Sequence, residues 1–197
     1  MVTPRPPGRI ADTLTTFEAA LMLDTVQESL EAITANSLLN HVTFSMLDTT
    51  AQDRGFPYAW STYPGGWITR YLRQSYITHD PVVRIGVAAA NPFYWSELHQ
   101  DPCGRRVLED AVRYGVGPCG YTIPHEKDGE RSFLSITSRT MIEEDWRYFV
   151  EAIYPELLVF TKSLHAKAGQ ELTLSTVAQM AHDSEPQLYS HHDAPAV

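Results

Sequence analysis

The stretch YPGGWITRYLRQSYITHDPVV, residues 63–83, sets the reading of this chain. Tyr63, Trp67 and Tyr71 are spaced by four, so a helix presents them side by side on one face. Ser75 continues the same face. Pro64, Gly65 and Gly66 end the preceding segment, which leaves Tyr63 on the rim of that helix. Asp80-Pro81 opens the next helix, with proline at the first helical position and aspartate as the cap. That helix is expected to run to about Ala90, where Asn91-Pro92 breaks it. Spacing alone leaves two readings open. The aromatic stripe is a packed core and Asp80 only a cap, or the stripe is a pocket wall whose N–H and O–H tips orient a polar ligand. In the second case Asp80 accepts a ligand N–H, because a buried carboxylate without a partner is costly.

Outward from this stretch the chain alternates helices and strands. Leu14, Phe17, Leu21, Val26, Leu30 and Ile33 recur at helical spacing and predict one long amphipathic helix. His41 to Leu47 and Tyr58 to Thr62 read as strands, separated by a turn at Asp53-Arg54-Gly55. Phe93 to Trp95 is expected to be extended, and Asp101-Pro102 to open a helix ending at Gly115. Gly117 to Gly120 reads as a turn. Tyr121 to His125 and Ser132 to Ser138 read as strands joined by a polar loop from Glu126 to Arg131. From Ile142 to about His165, Trp146, Phe149, Ile153, Leu157, Phe160 and Leu164 form one stripe, with Pro155 expected to kink or split the helix.

This order predicts an α+β fold, a three-layer α-β-α sandwich with a central antiparallel sheet of about five strands. Residues 1–10 read as a disordered lead, 11–168 as one domain, and 169–197 as a polar tail in which the apolar period fades.

Composition narrows the function classes. The 197 residues carry 15 Lys+Arg against 24 Asp+Glu, a formal charge of −9. No dense basic run is present to neutralise phosphates, which argues against DNA binding by this stretch of chain. The N-terminus carries no apolar signal segment, and no apolar run is long enough for a bilayer, so a cytoplasmic protein is expected. Cys103 and Cys119 are read as free thiols. His99, Cys103 and His125 lack the spacing of a metal site, and no metal or cofactor is expected. His79, Asp80 and Ser135 are the residue types of a hydrolase triad, but no Gly-x-Ser-x-Gly motif presents the serine, so catalysis is not expected.

Taken together, several elements resemble one family. Tyr63, Trp67 and Tyr71 precede Asp80-Pro81-Val82. Pro92-Phe93-Tyr94-Trp95 follows, then Gly120-Tyr121-Thr122-Ile123-Pro124 and Leu134-Ser135-Ile136-Thr137. In this order they resemble the autoinducer-binding domain of LuxR-type quorum-sensing regulators, over roughly Leu14 to His165. The chain departs from the family pattern at Gly115 and Gly120, which lie one residue further apart, and in a hairpin loop about one residue short.

The resemblance implies an N-acyl homoserine lactone as the signal ligand, in an enclosed pocket. Trp67 would donate to the lactone carbonyl and Asp80 would accept the amide N–H. Tyr63 and Ser135 would donate to the amide carbonyl or an acyl-chain oxygen. Tyr71 and Trp95 would wall the lactone end, with Thr122 facing the same cavity and Gly120 giving backbone room. Phe44, Met46, Tyr58, Val83 and Leu134 are the candidates for the acyl pocket.

The family also implies a homodimer using roughly Trp146 to Leu164, and a following helix-turn-helix domain. Glu171 to Leu174 is only faintly like the start of such a domain. A short form that binds signal without reading DNA is the expectation, as a signal sink or as a heterodimer partner of a full-length LuxR-type regulator. A pocket for an aryl-homoserine lactone or a non-lactone, or a ligand-independent dimerisation protein, are the other readings.

Overall fold

The computed structural model describes residues 8–35, 37–47, 58–98 and 101–183. The expected turn at Asp53-Arg54-Gly55, and His99, lie outside them. The chain enters through α1 (Gly8–Leu21) and α2 (Val26–Ala35). The single long helix expected here is therefore two, and α1 begins inside the stretch read as a lead. The break has a local cause. Thr25 caps α2: the Glu28 N–H donates to Thr25 Oγ1 at 3.2 Å, and that hydroxyl donates to the Glu28 carboxylate at 2.8 Å.

The five-stranded sheet is antiparallel throughout, in the order β2-β1-β5-β4-β3. Its strands are β1 (His41–Leu47), β2 (Tyr58–Ser61), β3 (Phe93–Tyr94), β4 (Cys119–Lys127) and β5 (Glu130–Ser138). The β4–β5 loop is shorter than the expected Glu126 to Arg131. Lys127 pairs with Glu130, so only Asp128 and Gly129 turn the chain, both at positive φ (55° and 84°). That is the backbone of a tight primed hairpin turn.

Strand registry assigns every sheet residue to one of two faces, because side chains alternate. Val42, Phe44, Met46, Leu134 and Ile136 share one face and are buried beneath α1, α2 and the last helix, α6 (Glu143–Asp183). Phe17 on α1 meets Phe160 on α6 edge to face, with ring centroids 5.3 Å apart. Lys167 binds the C-terminal end of α1 through the carbonyls of Ala20 and Leu21, and donates to Ser29 on α2 at 2.9 Å. A cation suits the partial negative charge of a helix C-terminus.

The α6 helix does not split at Pro155. It runs 41 residues, through the expected boundary at 168. Pro155 is exposed and forfeits a hydrogen bond on the solvent side. The cost of an internal proline, about 3 kcal/mol, is exceeded by burial of Ile153, Leu157, Phe160 and Leu164, each worth roughly 1.5–3 kcal/mol.

The opposite face of the sheet is covered by α3 (Gly65–Arg73), α4 (Pro81–Gly86) and α5 (Pro102–Arg113), with 3-10 turns at Tyr76–Thr78 and Trp95–Glu97. These elements are shorter than expected: α4 stops at Gly86 rather than near Ala90, and Trp95 starts a 3-10 turn instead of extending β3. Ser75 lies beyond α3 at φ 51°, off its helical face. Helix layers on both faces complete the three-layer sandwich.

Candidate functional site

The two helix layers are unequal. Beneath α1, α2 and α6 the sheet is solidly packed. Beneath α3, α4 and α5 it leaves a cavity of about 660 Å³, within the size range of small-molecule sites. Its roof includes Trp67, Ile68, Tyr71 and Leu72 of α3, and Val82 and Val83 of α4. Val107, Leu108 and Ala111 of α5 close one side, and Thr43, Ser45, Ala59, Ser61, Phe133 and Ser135 make the floor. Leu72 is 70% exposed and Ile68 38%; with the exposed Ala59 of β2 they mark the mouth.

Asp80 caps α4 and also lines the cavity. Oδ1 caps α4, accepting from the Val82 N–H at 2.8 Å and the Val83 N–H at 3.4 Å. Oδ2 accepts from the Tyr71 hydroxyl at 2.9 Å. A carboxylate oxygen has room for two donors, so Oδ2 retains one acceptor position. The accessible part of Asp80 faces the cavity rather than bulk water. Burial therefore lifts its carboxyl above the usual range, partly offset by the bonds from Tyr71, Val82 and Val83. Burial, then the Asp80 charge, raises the Tyr71 phenol, and burial raises Tyr63. Both phenols stay protonated at neutral pH and serve as donors.

The aromatic roof is a cluster. Trp67 meets Tyr71 edge to face at 5.5 Å and lies tilted against Tyr76 and Tyr114. A polar clamp that the sequence reading missed holds it in place. Asp110 of α5 accepts from Arg70 of α3 (Nε 3.0 Å, Nη2 2.8 Å), from Arg113 and from the Tyr76 hydroxyl. The Tyr76 bond is the main cause that holds the Asp110 carboxyl below the usual range, helped by Arg70. An Arg–Asp pair joining α3 to α5 fixes the roof against the side wall.

Trp95, Thr122 and Ser135 form a chain. The Trp95 indole N–H donates to Thr122 Oγ1 at 2.9 Å, and Thr122 Oγ1 lies 2.9 Å from Ser135 Oγ. Trp95 and Ser135 line the cavity; Thr122, on the same face of the sheet, is fully buried behind them. The expectation that Thr122 contacts ligand is corrected to a supporting place, because Trp95 covers it. Gly120 gives room, as expected, but to Trp95: a Cβ there would sit 2.1 Å from the indole ring.

The acyl-pocket candidates fare worse. Val83 lines the cavity. Phe44, Met46 and Leu134 do not: they point to the opposite face, into the core under α1, α2 and α6. Tyr58 pairs with Met46, shares that wrong face, and is 48% exposed on the edge strand. The floor belongs to their odd-numbered neighbours Thr43, Ser45, Ala59, Ser61 and Phe133, a set that strand parity identifies once the core face is known. His79, unlike Ser135, does not line the cavity.

Comparison with known proteins agrees with this geometry. A family model described as the autoinducer binding domain matches residues 23–168. The chain belongs to the autoinducer-binding domain family of LuxR-type regulators. It is 34% identical over 115 residues to the transcriptional activator protein RaiR of Rhizobium etli, a match covering 57% of this chain and 47% of that protein. It is 32% identical over 79 residues to the transcriptional activator protein BjaR1 of Bradyrhizobium diazoefficiens, covering 38% and 32%. The chain thus spans about half or less of the curated relatives it matches.

Among solved structures, the N-acylhomoserine lactone dependent LuxR family transcription factor CepR2 of Burkholderia cenocepacia superposes with a TM-score of 0.64 at 16% identity. That match covers 83% of this chain and 98% of CepR2. The ligand-binding domain of VqsR from Pseudomonas aeruginosa gives 0.56 at 15% identity, covering 80% and 96%. These likenesses establish the fold. The named relatives are regulators with signal-binding domains, so this autoinducer-binding domain is a receptor module and not an enzyme. Among the described residues, no helix is long and apolar enough to cross a membrane.

Proposed function

We propose that this autoinducer-binding domain takes up an N-acyl homoserine lactone, head first, between the α3 roof and the sheet. The observation that carries the reading is the placement of an acceptor and of donors around one largely apolar cavity. Asp80 Oδ2 offers an acceptor from the roof side, and Ser135 and Tyr63 offer hydroxyls from the floor. An amide presents an N–H and a C=O on opposite edges, so one amide satisfies both. Trp67 then donates to the lactone carbonyl, with Tyr71 and Trp95 against the ring. The acyl chain runs over Val83 and Phe133 toward Ile68 and Leu72 at the mouth. An aryl-homoserine lactone fills the same wall contacts and belongs in the same test.

Dimerisation is part of the proposal. Tyr148, Ala152, Pro155 and Val159 repeat at steps of four, three and four along the outer face of α6, all exposed. That is the spacing of a helix-packing seam. A second copy of the domain is the proposed partner, and a longer regulator carrying the same domain is equivalent in chemistry. Replacing Val159 with Glu should shift the sedimentation of a dimer to that of a monomer.

The deciding experiment is thermal unfolding with a panel of acyl- and aryl-homoserine lactones. A ligand that binds only the folded state adds about 2.7 kcal/mol at a hundredfold excess over its Kd. If no lactone raises the melting temperature, the lactone reading fails.

A further inference from the structure

Trp67, Tyr71 and Asp80, the residues proposed to hold the ligand head group, share a neighbour that does not itself line the cavity. Tyr76 follows α3 in the 3-10 turn, and its ring stands behind the roof. It is tilted against Trp67 at 5.9 Å and meets Tyr71 edge to face at 6.0 Å, while those two meet each other at 5.5 Å. Its backbone carbonyl accepts the Asp80 N–H at 2.8 Å, which fixes the entry into α4. One residue therefore touches all three.

Tyr76 is anchored from the far side. Its hydroxyl donates to Asp110 Oδ2. Burial, then that bond, raises the phenol, so it stays protonated and donates. Asp110 is 3% exposed. The guanidinium groups of Arg70 and Arg113 make a carboxylate tolerable there, and both reach solvent, with side chains 30% and 68% exposed. Aromatic packing is tolerant: ring pairs attract over centroid distances of about 4.5–7 Å. A hydrogen bond to an ionised acceptor is short and directional. The Asp110 bond thus supplies the position that ring packing leaves loose.

We infer that Tyr76, pinned by Asp110, is a positioning residue for the ligand head group: from outside the cavity lining it sets where the Trp67 indole N–H stands relative to Asp80. This rests on the lactone reading above. The consequence is selective. A hydrogen bond weakens steeply as its angle departs from linear, whereas apolar contact declines gradually. A slight turn of the Trp67 ring therefore costs the bond to the lactone carbonyl before it costs the packing of the ring or the acyl chain. Asp110 and Tyr76 act on head-group discrimination more than on affinity for the ligand as a whole.

The test is calorimetric titration with two ligands of equal chain length, an N-acyl homoserine lactone and the matching N-acyl cyclopentylamide. The second keeps the amide, the ring size and the chain but lacks the ring ester. The proteins are the wild type, Tyr76→Phe, Asp110→Asn, the double variant, and Ile136→Val in the packed face. The wild type should bind the lactone about tenfold more tightly, the worth of one well-made hydrogen bond. Tyr76→Phe keeps the ring and should bring the two ligands within about threefold. Asp110→Asn should do the same, and the double variant should lose no more than either single one, because all three break one link. Ile136→Val should keep the full preference, since general loosening of the fold weakens both ligands alike. An unchanged preference in Tyr76→Phe overturns the inference and leaves the lactone reading standing. So do equal binding of both ligands by the wild type, additive losses in the double variant, and a preference lost as fully in Ile136→Val. Binding of neither ligand by the wild type removes the lactone reading and this inference with it.

Discussion

The two faces of one sheet do opposite work in this protein. On the α1, α2 and α6 side, Val42, Phe44, Met46, Leu134 and Ile136 are buried to 2% exposure or less and packed solidly. On the α3, α4 and α5 side, their immediate neighbours Thr43, Ser45 and Ser135 carry hydroxyls and face a cavity. A strand cannot choose the two independently: each residue step switches face. Stability is concentrated on the first face, which leaves the second free to carry polar groups that a solid core would not tolerate. That division lets a domain of this size hold a cavity and still fold.

The largest test of this division is Phe44→Ala. It should cost about 3–5 kcal/mol, the usual range for a fully buried phenylalanine, with a matching fall in the urea midpoint. Thr43→Val, one residue away, should change apo stability by about 1 kcal/mol or less. Similar losses for the two would show that the cavity face contributes to the core after all.

Asp80→Asn comes next in size. Asparagine keeps a cap for α4 but loses the charge, so affinity for a homoserine lactone should fall roughly ten- to hundredfold, as for a hydrogen bond to an ionised group. Apo stability should move the other way. Burial raises the Asp80 carboxyl above its unfolded value, so the native state binds its proton more firmly. By linkage the Asp80 contribution grows less favourable as pH rises above about 4, and levels off once its folded-state pKa is passed. The stability of wild type minus Asp80→Asn, from urea melts at stepped pH, should fall over that window. A difference that rises would mean the carboxylate is better satisfied in the cavity than its surroundings indicate.

What the sequence disclosed follows the same division. Trp67, Tyr71, Asp80, Trp95 and Ser135 all line the cavity; spacing leaves them open between core and pocket, and it is the ordered resemblance to the family that points to the pocket. The acyl pocket was less legible. Apolar character in a strand does not separate pocket from core: Phe44, Met46 and Leu134 are apolar because they fill the opposite core. The alternation His41-Val42-Thr43-Phe44-Ser45-Met46 already contains both faces, and only the covering helices decide which one is hollow.

Two breaks were readable and missed. Thr25-Val26-Gln27-Glu28 has the Thr-x-x-Glu spacing of a helix start and separates α1 from α2, and Asp128-Gly129 is a strong two-residue hairpin signal. The passage of α6 through Pro155 could not be read locally, because packing from other elements outweighs the proline. Likewise the Arg70–Asp110 clamp joins residues forty apart in sequence.

The smallest predicted effect concerns a polar pair between β5 and α6 on the apolar face. Ser132 Oγ lies 2.9 Å from His165 Nδ1, and His165 meets His125 edge to face at 4.9 Å. Burial is the main cause that lowers both imidazoles below the ordinary value, with Lys127 acting the same way on each and Lys162 on His125; Glu130 and Asp128 oppose it at His165. A depressed base is neutral in the native state while the unfolded chain already takes a proton. Stability is therefore fully present above about pH 6.5 and is lost as pH falls toward the lowered folded-state pKa values. This slope is opposite in sign to that of Asp80, so the two are separable in variants. His165→Gln should flatten the acid-side loss in urea melts between about pH 6.5 and 5. It should leave lactone affinity unchanged, because the sheet stands between His165 and the cavity. A shift in affinity would mean that the packed face and the hollow face are coupled through β5, where Ser132 and Ser135 sit three residues apart on opposite sides.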